Sequence, residues 1–178
     1  FIGQAGKPNI DAVGHRVSNG GVRFTSSVQI TDEVMQEIGE SVPLASIHNQ
    51  YSMEGIAVMR DLLPDIPQAA VFDSAFHSTI PDTAAVYAIP ADTAAQDGIR
   101  RSGFHGILHR YVSLGAATYL KKPVGELKII SCNLGIDASI CAVDHGRSVD
   151  TSMGMTPLEG LISGTCSGDI DPGVILHL

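Results

Sequence analysis

Apolar positions along this chain fall into short runs of two kinds. Residues 12–17 form a brief run broken by Asn19-Gly20-Gly21, which predicts a short strand delivering His15 and Arg16 to its end. Ala69-Ala70-Val71-Phe72 is continuous and closed by Asp73, the pattern of a buried strand with a carboxylate at its tip. Residues 127–135 and 139–143 predict two more strands around a glycine turn. Asp144-His145-Gly146-Arg147 then reads as a hairpin turn before Val149. Helical spacing appears elsewhere. Thr31-Asp32-Glu33 opens a helix reaching about Glu40, with acids in its first turn. Met53, Ile56, Ala57, Met59, Leu62 and Leu63 mark a helix ended by Pro64. Tyr111, Val112, Leu114, Ala117 and Leu120 supply the apolar face of a later amphipathic helix. Residues 81–90 read as irregular. Residues 150–172 are dense in glycine, hydroxyl and carboxylate side chains, yet their apolar residues are too regular for a linker. They read either as a folded binding loop or as a turn-rich connection.

Composition narrows the class. The 178 residues suffice for one domain or two small halves, and 44% hydrophobic against 17% charged residues supports a core rather than disorder. A net charge of −8 without a basic cluster leaves no footprint for nucleic acid. A polyanion such as ATP would need local positive groups and backbone donors. Cys132, Cys141 and Cys166 lack CxxC or finger spacing, so neither zinc nor a disulfide framework is expected. Without an 18-residue apolar run or a signal-peptide pattern, the expectation is a cytoplasmic protein with no membrane partner. The chain starts at Phe1-Ile2-Gly3 without Met and ends on the apolar run 174–178, which reads as a piece of something larger.

Several residues carry candidate chemistry. Arg16 is either a solvated strand-end charge or a guanidinium fork for a carboxylate or phosphate. His48 reads as a satisfied interior histidine or a functional one. Asp73 is either a turn or helix-cap residue, or a site carboxylate, since ligands of open α/β sheets bind beyond the carboxyl ends of strands. His105 and His109 lie four apart and share a face if helical. A metal hydrolase built on the histidines and Asp73 would need further ligands, and no HExxH glutamate is present.

Met153-Gly154-Met155-Thr156-Pro157-Leu158-Glu159-Gly160, followed by Ser167-Gly168-Asp169-Ile170-Asp171-Pro172, resembles the acetate kinase (acetate/propionate kinase) family. So do Gly14-His15-Arg16-Val17 with Gly20-Gly21 beyond, Pro43-Leu44-Ala45-Ser46-Ile47-His48-Asn49, Phe72-Asp73-Ser74-Ala75-Phe76-His77, and 100–109. The resemblance implies an incomplete α/β fold of the actin-like ATPase, ribonuclease H-like type. Residues 1–76 would come from the N-terminal lobe and 77–178 from the C-terminal lobe. The implied activity is transfer of the ATP γ-phosphoryl group to acetate or propionate, giving an acyl phosphate and ADP, with Mg2+. Arg16 would hold the substrate carboxylate, and Asp73 would bind the metal or orient the nucleophile. His105, with His48 nearby, would stabilise the transferring phosphoryl group. Ile47, Phe104 and Pro157 would enclose the methyl group, and the family's habit implies a homodimer.

The departures from the family cluster. Ser18 replaces an apolar residue of the methyl pocket. The phosphate turn reads Asn133-Leu134-Gly135-Ile136-Asp137 where the family has His-Leu-Gly-Asn-Gly, which restricts the backbone and adds negative charge. Cys166 stands where the family has an arginine of the kind worth about 10³–10⁵ in phosphoryl transfer. The alternative expectation is therefore a degenerate member of the family that binds a small carboxylate or a partner chain without phosphotransfer.

Overall fold

The computed structural model describes residues 10–40 and 42–178, with residues 42–48 described in backbone only. Its first sheet has the order β1 (Val13–Val17), β3 (Gln68–Phe72), β2 (Val28–Gln29), with β1 parallel and β2 antiparallel to the central β3. Parallel neighbours need a long crossover. Helices α1 (Asp32–Glu40) and α2 (Val42–Leu62) supply it. Helix α2 begins well before the periodic stretch that predicted it. The core beneath comprises Val17, Phe24, Ile30, Ile38, Ile56, Ala70 and Phe72. Phe24 and Phe72 stack at 4.6 Å, and a Cβ on Gly20 would lie 2.7 Å from Phe24 and 2.9 Å from Phe72. Only glycine lets the turn after β1 close over those rings.

Beyond β3 the chain forms a 3-10 helix, Asp73–Thr79. The short helices α3 (Asp82–Ala85) and α4 (Ala91–Asp97) follow, then α5 (Gly106–Leu120). The stretch 81–90, expected to be irregular, thus holds one helical turn, begun by Pro81, whose fixed φ suits a helix start. The second sheet is the antiparallel meander β4 (Lys128–Leu134), β5 (Ala138–Asp144), β6 (Arg147–Thr151). His145 and Gly146 both have positive φ and close the predicted hairpin in two residues. Residues 152–171 are folded without regular structure, and Asp171 caps α6 (Pro172–His177) by accepting from the Gly173 amide at 2.8 Å.

The face of α5 is a correction. Its buried residues are Gly106, His109, Ser113 and Ala117, whereas Tyr111, Val112, Leu114 and Leu120 are exposed. Strand β4 behaves alike, burying Ser131 and exposing Ile130 and Leu134. The physical reason is that the sheet beside α5 presents the hydroxyls of Ser131 and Ser139, which His109 of the helix meets, so the buried side is polar and hydrogen-bonded. No helix among the described residues is long and apolar enough to cross a membrane.

Candidate active site

Parallel register does the first piece of assembly. Val17 lies opposite Phe72, so the residues at the carboxyl ends of β1 and β3 meet. Arg16 donates through Nε to Asp73 Oδ2 at 2.9 Å, and its Nη2 reaches the same oxygen. The Asp73 side chain is 2% exposed and that of Arg16 58%, so a buried carboxylate anchors a guanidinium that still faces solvent. Among the described residues, the second Asp73 oxygen accepts only a long bond, 3.4 Å, from the Ile107 amide in the first turn of α5.

That turn is unusually tight. His105 precedes α5 with φ of 59°, in the left-handed region, and Gly103 has φ of 64°. Phe104 between them is buried, and its carbonyl accepts from His77 Nε2 at 3.0 Å. A carbonyl can only accept, so neutral His77 carries its proton on Nε2. Its Nδ1 then accepts from Ser148 Oγ at 2.8 Å, and Cys141 Sγ lies 3.3 Å behind that hydroxyl. Burial pushes the Cys141 thiol up to about 11, which keeps it a thiol.

His105 Nδ1 lies 2.9 Å from Ser139 Oγ and 3.0 Å from Asn133 Nδ2. Burial lowers its pKa, while Asp73 and Asp137 pull the other way and Arg16 adds to the lowering. His109 is fully buried, with Nδ1 2.9 Å from Ser131 Oγ and Nε2 2.9 Å from Ser139 Oγ. Burial pushes both His77 and His109 from 6.5 down to about 4. Both are neutral in the fold near pH 7, whereas an unfolded chain takes up protons below about 6.5. Their contribution is complete above that pH and is lost as pH falls toward 4. The urea midpoint is expected to drop between pH 7.5 and pH 5 by an amount equivalent to about 1–2 kcal/mol per histidine. A flat profile would contradict this placement.

The loop that carries Pro157 is held by Arg101, Glu159 and Tyr87. Arg101 donates to Glu159 Oε1 at 2.6 Å and to the Thr151 and Met153 carbonyls at 3.2 Å each. Tyr87 donates to Glu159 Oε2 and accepts from the Met155 amide at 2.9 Å. Burial first, then the Glu159 carboxylate, raises the Tyr87 hydroxyl to about 12, so it remains a donor. Gly154 sits so close to Glu159 and Tyr87 that a Cβ would strike both.

The residues that depart from the expected phosphate site lie together. The Ile136 carbonyl accepts from the Gly164 amide at 3.0 Å, and Thr165 donates its hydroxyl to Asp137. Cys166, buried, donates its amide to Ser163 Oγ at 3.2 Å. Leu134 and Ile136 are exposed at the turn tip, next to Gly135. Of the expected site residues, Arg16, Asp73, His105, Asn133 and Asp137 are brought into one electrostatic neighbourhood, and Phe104 immediately precedes His105, while Pro157 lies in the loop held by Arg101, Glu159 and Tyr87. Ile47 and His48 lie in helix α2, and their side chains fall outside the described part of the structure. Among the described residues, no group of three or more His, Cys, Asp or Glu side chains could hold a metal ion. Sequence reasoning passed over Ser131, Ser139 and Ser148. Their signal was available, since each stands at an inward position of an alternating strand, where a polar residue demands a partner.

A family model described as "Acetokinase family" matches residues 3–178. The acetate kinase of Halothermothrix orenii is 57% identical over 166 residues, covering 93% of this chain and 42% of that relative. A propionate kinase from Francisella tularensis superposes with a TM-score of 0.90 at 45% identity, covering 94% of this chain and 43% of the other. Acetate kinase of Porphyromonas gingivalis gives 0.89 at 47% identity, covering 94% and 42%. The chain therefore spans about two-fifths of the length of these relatives. Its α/β architecture is part of the actin-like fold of the acetate and propionate kinases, and the chain belongs to the acetokinase family.

Proposed function

We propose that this chain carries the acyl-substrate and phosphoryl-handling residues of an ATP-dependent carboxylate kinase that converts acetate or propionate into an acyl phosphate. The observation that supports it best is the convergence of Arg16, Asp73 and His105 from three separate elements. Two nitrogens of Arg16 are spent on one Asp73 oxygen, so the outer Nη1 face of the fork remains for a carboxylate. Phe104 and Pro157, with Ile47, would enclose the alkyl group. His105 would meet the charge that develops on the transferring phosphoryl group, and His48 would assist it.

Mg2+ fits the donor set as a guest of one carboxylate. Asp73 keeps one oxygen with only a long amide bond, and Mg2+ is commonly held by one or two carboxylates plus water and substrate phosphates. When bound it would neutralise phosphate charge. What the chain's own residues do is hold the acid, aim its oxygen and exclude water around the alkyl group. Residues 1–76 and 77–178 would belong to the two lobes, with ATP and ADP as partners. A homodimer and a cytoplasmic setting go with the same reading.

A second reading is favoured by one local observation. Asp137 and Thr165 bond across the phosphate turn, beside Cys166, where the expected machinery has a flexible Asn-Gly and an arginine. On that reading the chain binds a short carboxylate without phosphotransfer. Calorimetric titration with acetate, propionate and ATP–Mg2+ separately, with a hydroxamate assay for acyl phosphate, separates the two. Nucleotide binding with hydroxamate product supports the kinase. Acid binding with neither supports the carboxylate-binding form, and silence throughout overturns both for the isolated chain.

A further inference from the structure

Ser139 Oγ lies 2.9 Å from His105 Nδ1 and 2.9 Å from His109 Nε2, at a fully buried position. A hydroxyl has one proton, so it can donate to one of these rings while accepting from the other. Asn133 decides the direction. Its amide nitrogen, 3.0 Å from His105 Nδ1, only donates and could not face an N–H there. Nδ1 of His105 is therefore the acceptor, and the Ser139 proton points to it. His109 gives its Nε2 proton to Ser139 Oγ, and its Nδ1 accepts from Ser131 Oγ at 2.9 Å. Each bond between neighbours in the row Ser131, His109, Ser139, His105 then has one donor and one acceptor, and His105 Nδ1 receives both the Ser139 hydroxyl and the Asn133 amide.

We propose that Ser139, backed by His109 and Ser131, is a positioning residue that holds His105 in the tautomer carrying its proton on Nε2. Among the described residues, that nitrogen has no hydrogen-bond partner. His105 thus offers an N–H donor to whatever enters, rather than a lone pair that would repel an oxyanion. The charged or titratable groups facing the ring come from β1 (Arg16), the 3-10 helix (Asp73, His77), α5 (His109) and the turn after β4 (Asp137). None of them bonds to Nδ1, so the direction of the row rests on Ser139 and Asn133. The catalytic meaning of the tautomer rests on the kinase reading; the tautomer itself does not.

The test is 15N NMR of this chain labelled at its histidine rings, at pH 7.5, with His105 assigned by loss of its signals in His105→Gln. The unaltered chain should show a protonated Nε2 and an unprotonated Nδ1 at His105. Ser139→Ala combined with Asn133→Ala, which removes both donors facing Nδ1, should convert His105 to an averaged mixture of tautomers, while Ser139→Thr, which keeps the hydroxyl, should retain the single form. If the chain turns over, Ser139→Ala should lower kcat roughly tenfold with the carboxylate KM little changed. A protonated Nδ1 in the unaltered chain overturns the proposal whether or not Ser139→Ala folds. So does an unshifted His105 in a folded Ser139→Ala/Asn133→Ala variant. An inactive chain with the expected tautomer would count against the kinase reading alone.

Discussion

Asp73→Asn should lower acyl-phosphate formation by roughly 10²-fold or more while tightening acetate binding by about five- to tenfold. The two effects have one origin. In the unliganded chain the Arg16 guanidinium is committed to a buried carboxylate through Nε and Nη2. An arriving acid must share that guanidinium with a like charge a few ångströms away, at a cost on the order of 1 kcal/mol at the water-like dielectric of an exposed guanidinium. Asn keeps the shape and one acceptor but removes the charge, so Arg16 binds the substrate carboxylate better. The same change removes the group proposed to hold the metal or aim the nucleophile. With Arg16 more than half exposed, the pair itself contributes little to folding, so the variant should retain its urea midpoint within about 1 kcal/mol. Acetate calorimetry and the hydroxamate assay on both proteins check the split. Weaker acetate binding with unchanged turnover would show that Asp73 only braces Arg16.

Gly106→Ala should destabilise the chain by about 3 kcal/mol or more, a large share of ordinary domain stability. A Cβ at Gly106 would collide with the Asp73 carbonyl oxygen and lie 2.8 Å from Phe76 Cβ. Both obstacles are fixed, one of them main chain, and rotamer changes cannot relieve them. The helix can only retreat, and retreat moves the Ile107 amide from Asp73 and His105 from Ser139. Gly115→Ala is the matched control in the same helix, because nothing lies within 4 Å of its Cβ position. Ala is a better helix former than Gly, so this change should stabilise by about 0.5–1 kcal/mol. Opposite signs in urea titrations are expected. Equal effects would mean that α5 does not press on the 3-10 helix as described.

How much of this was legible beforehand depends on the residue. Arg16 and Asp73 could be assigned to strand ends because a short apolar run closed by a polar residue has few other solutions. Their meeting could not, since it depends on β1 and β3 pairing in parallel across two intervening helices. Helix α5 shows where periodicity misleads. Its leucines, tyrosines and valine mark the outward side, and the buried side is chosen by hydrogen bonds among His109, Ser131 and Ser139, which no hydrophobic pattern encodes. The turn at 133–137 and Cys166 read as separate departures from the family. That Asp137 and Thr165 bond to one another is a tertiary fact, and it makes two apparently separate changes parts of one altered loop pair.

Arg16 is the group proposed to receive the acid. The most direct measurement is calorimetric titration of acetate into the unaltered chain and into Arg16→Ala under identical conditions. Saturable binding is expected in the unaltered chain, with its loss, by at least about tenfold in affinity, when the guanidinium is removed. Equal acetate affinity in the two proteins would contradict it.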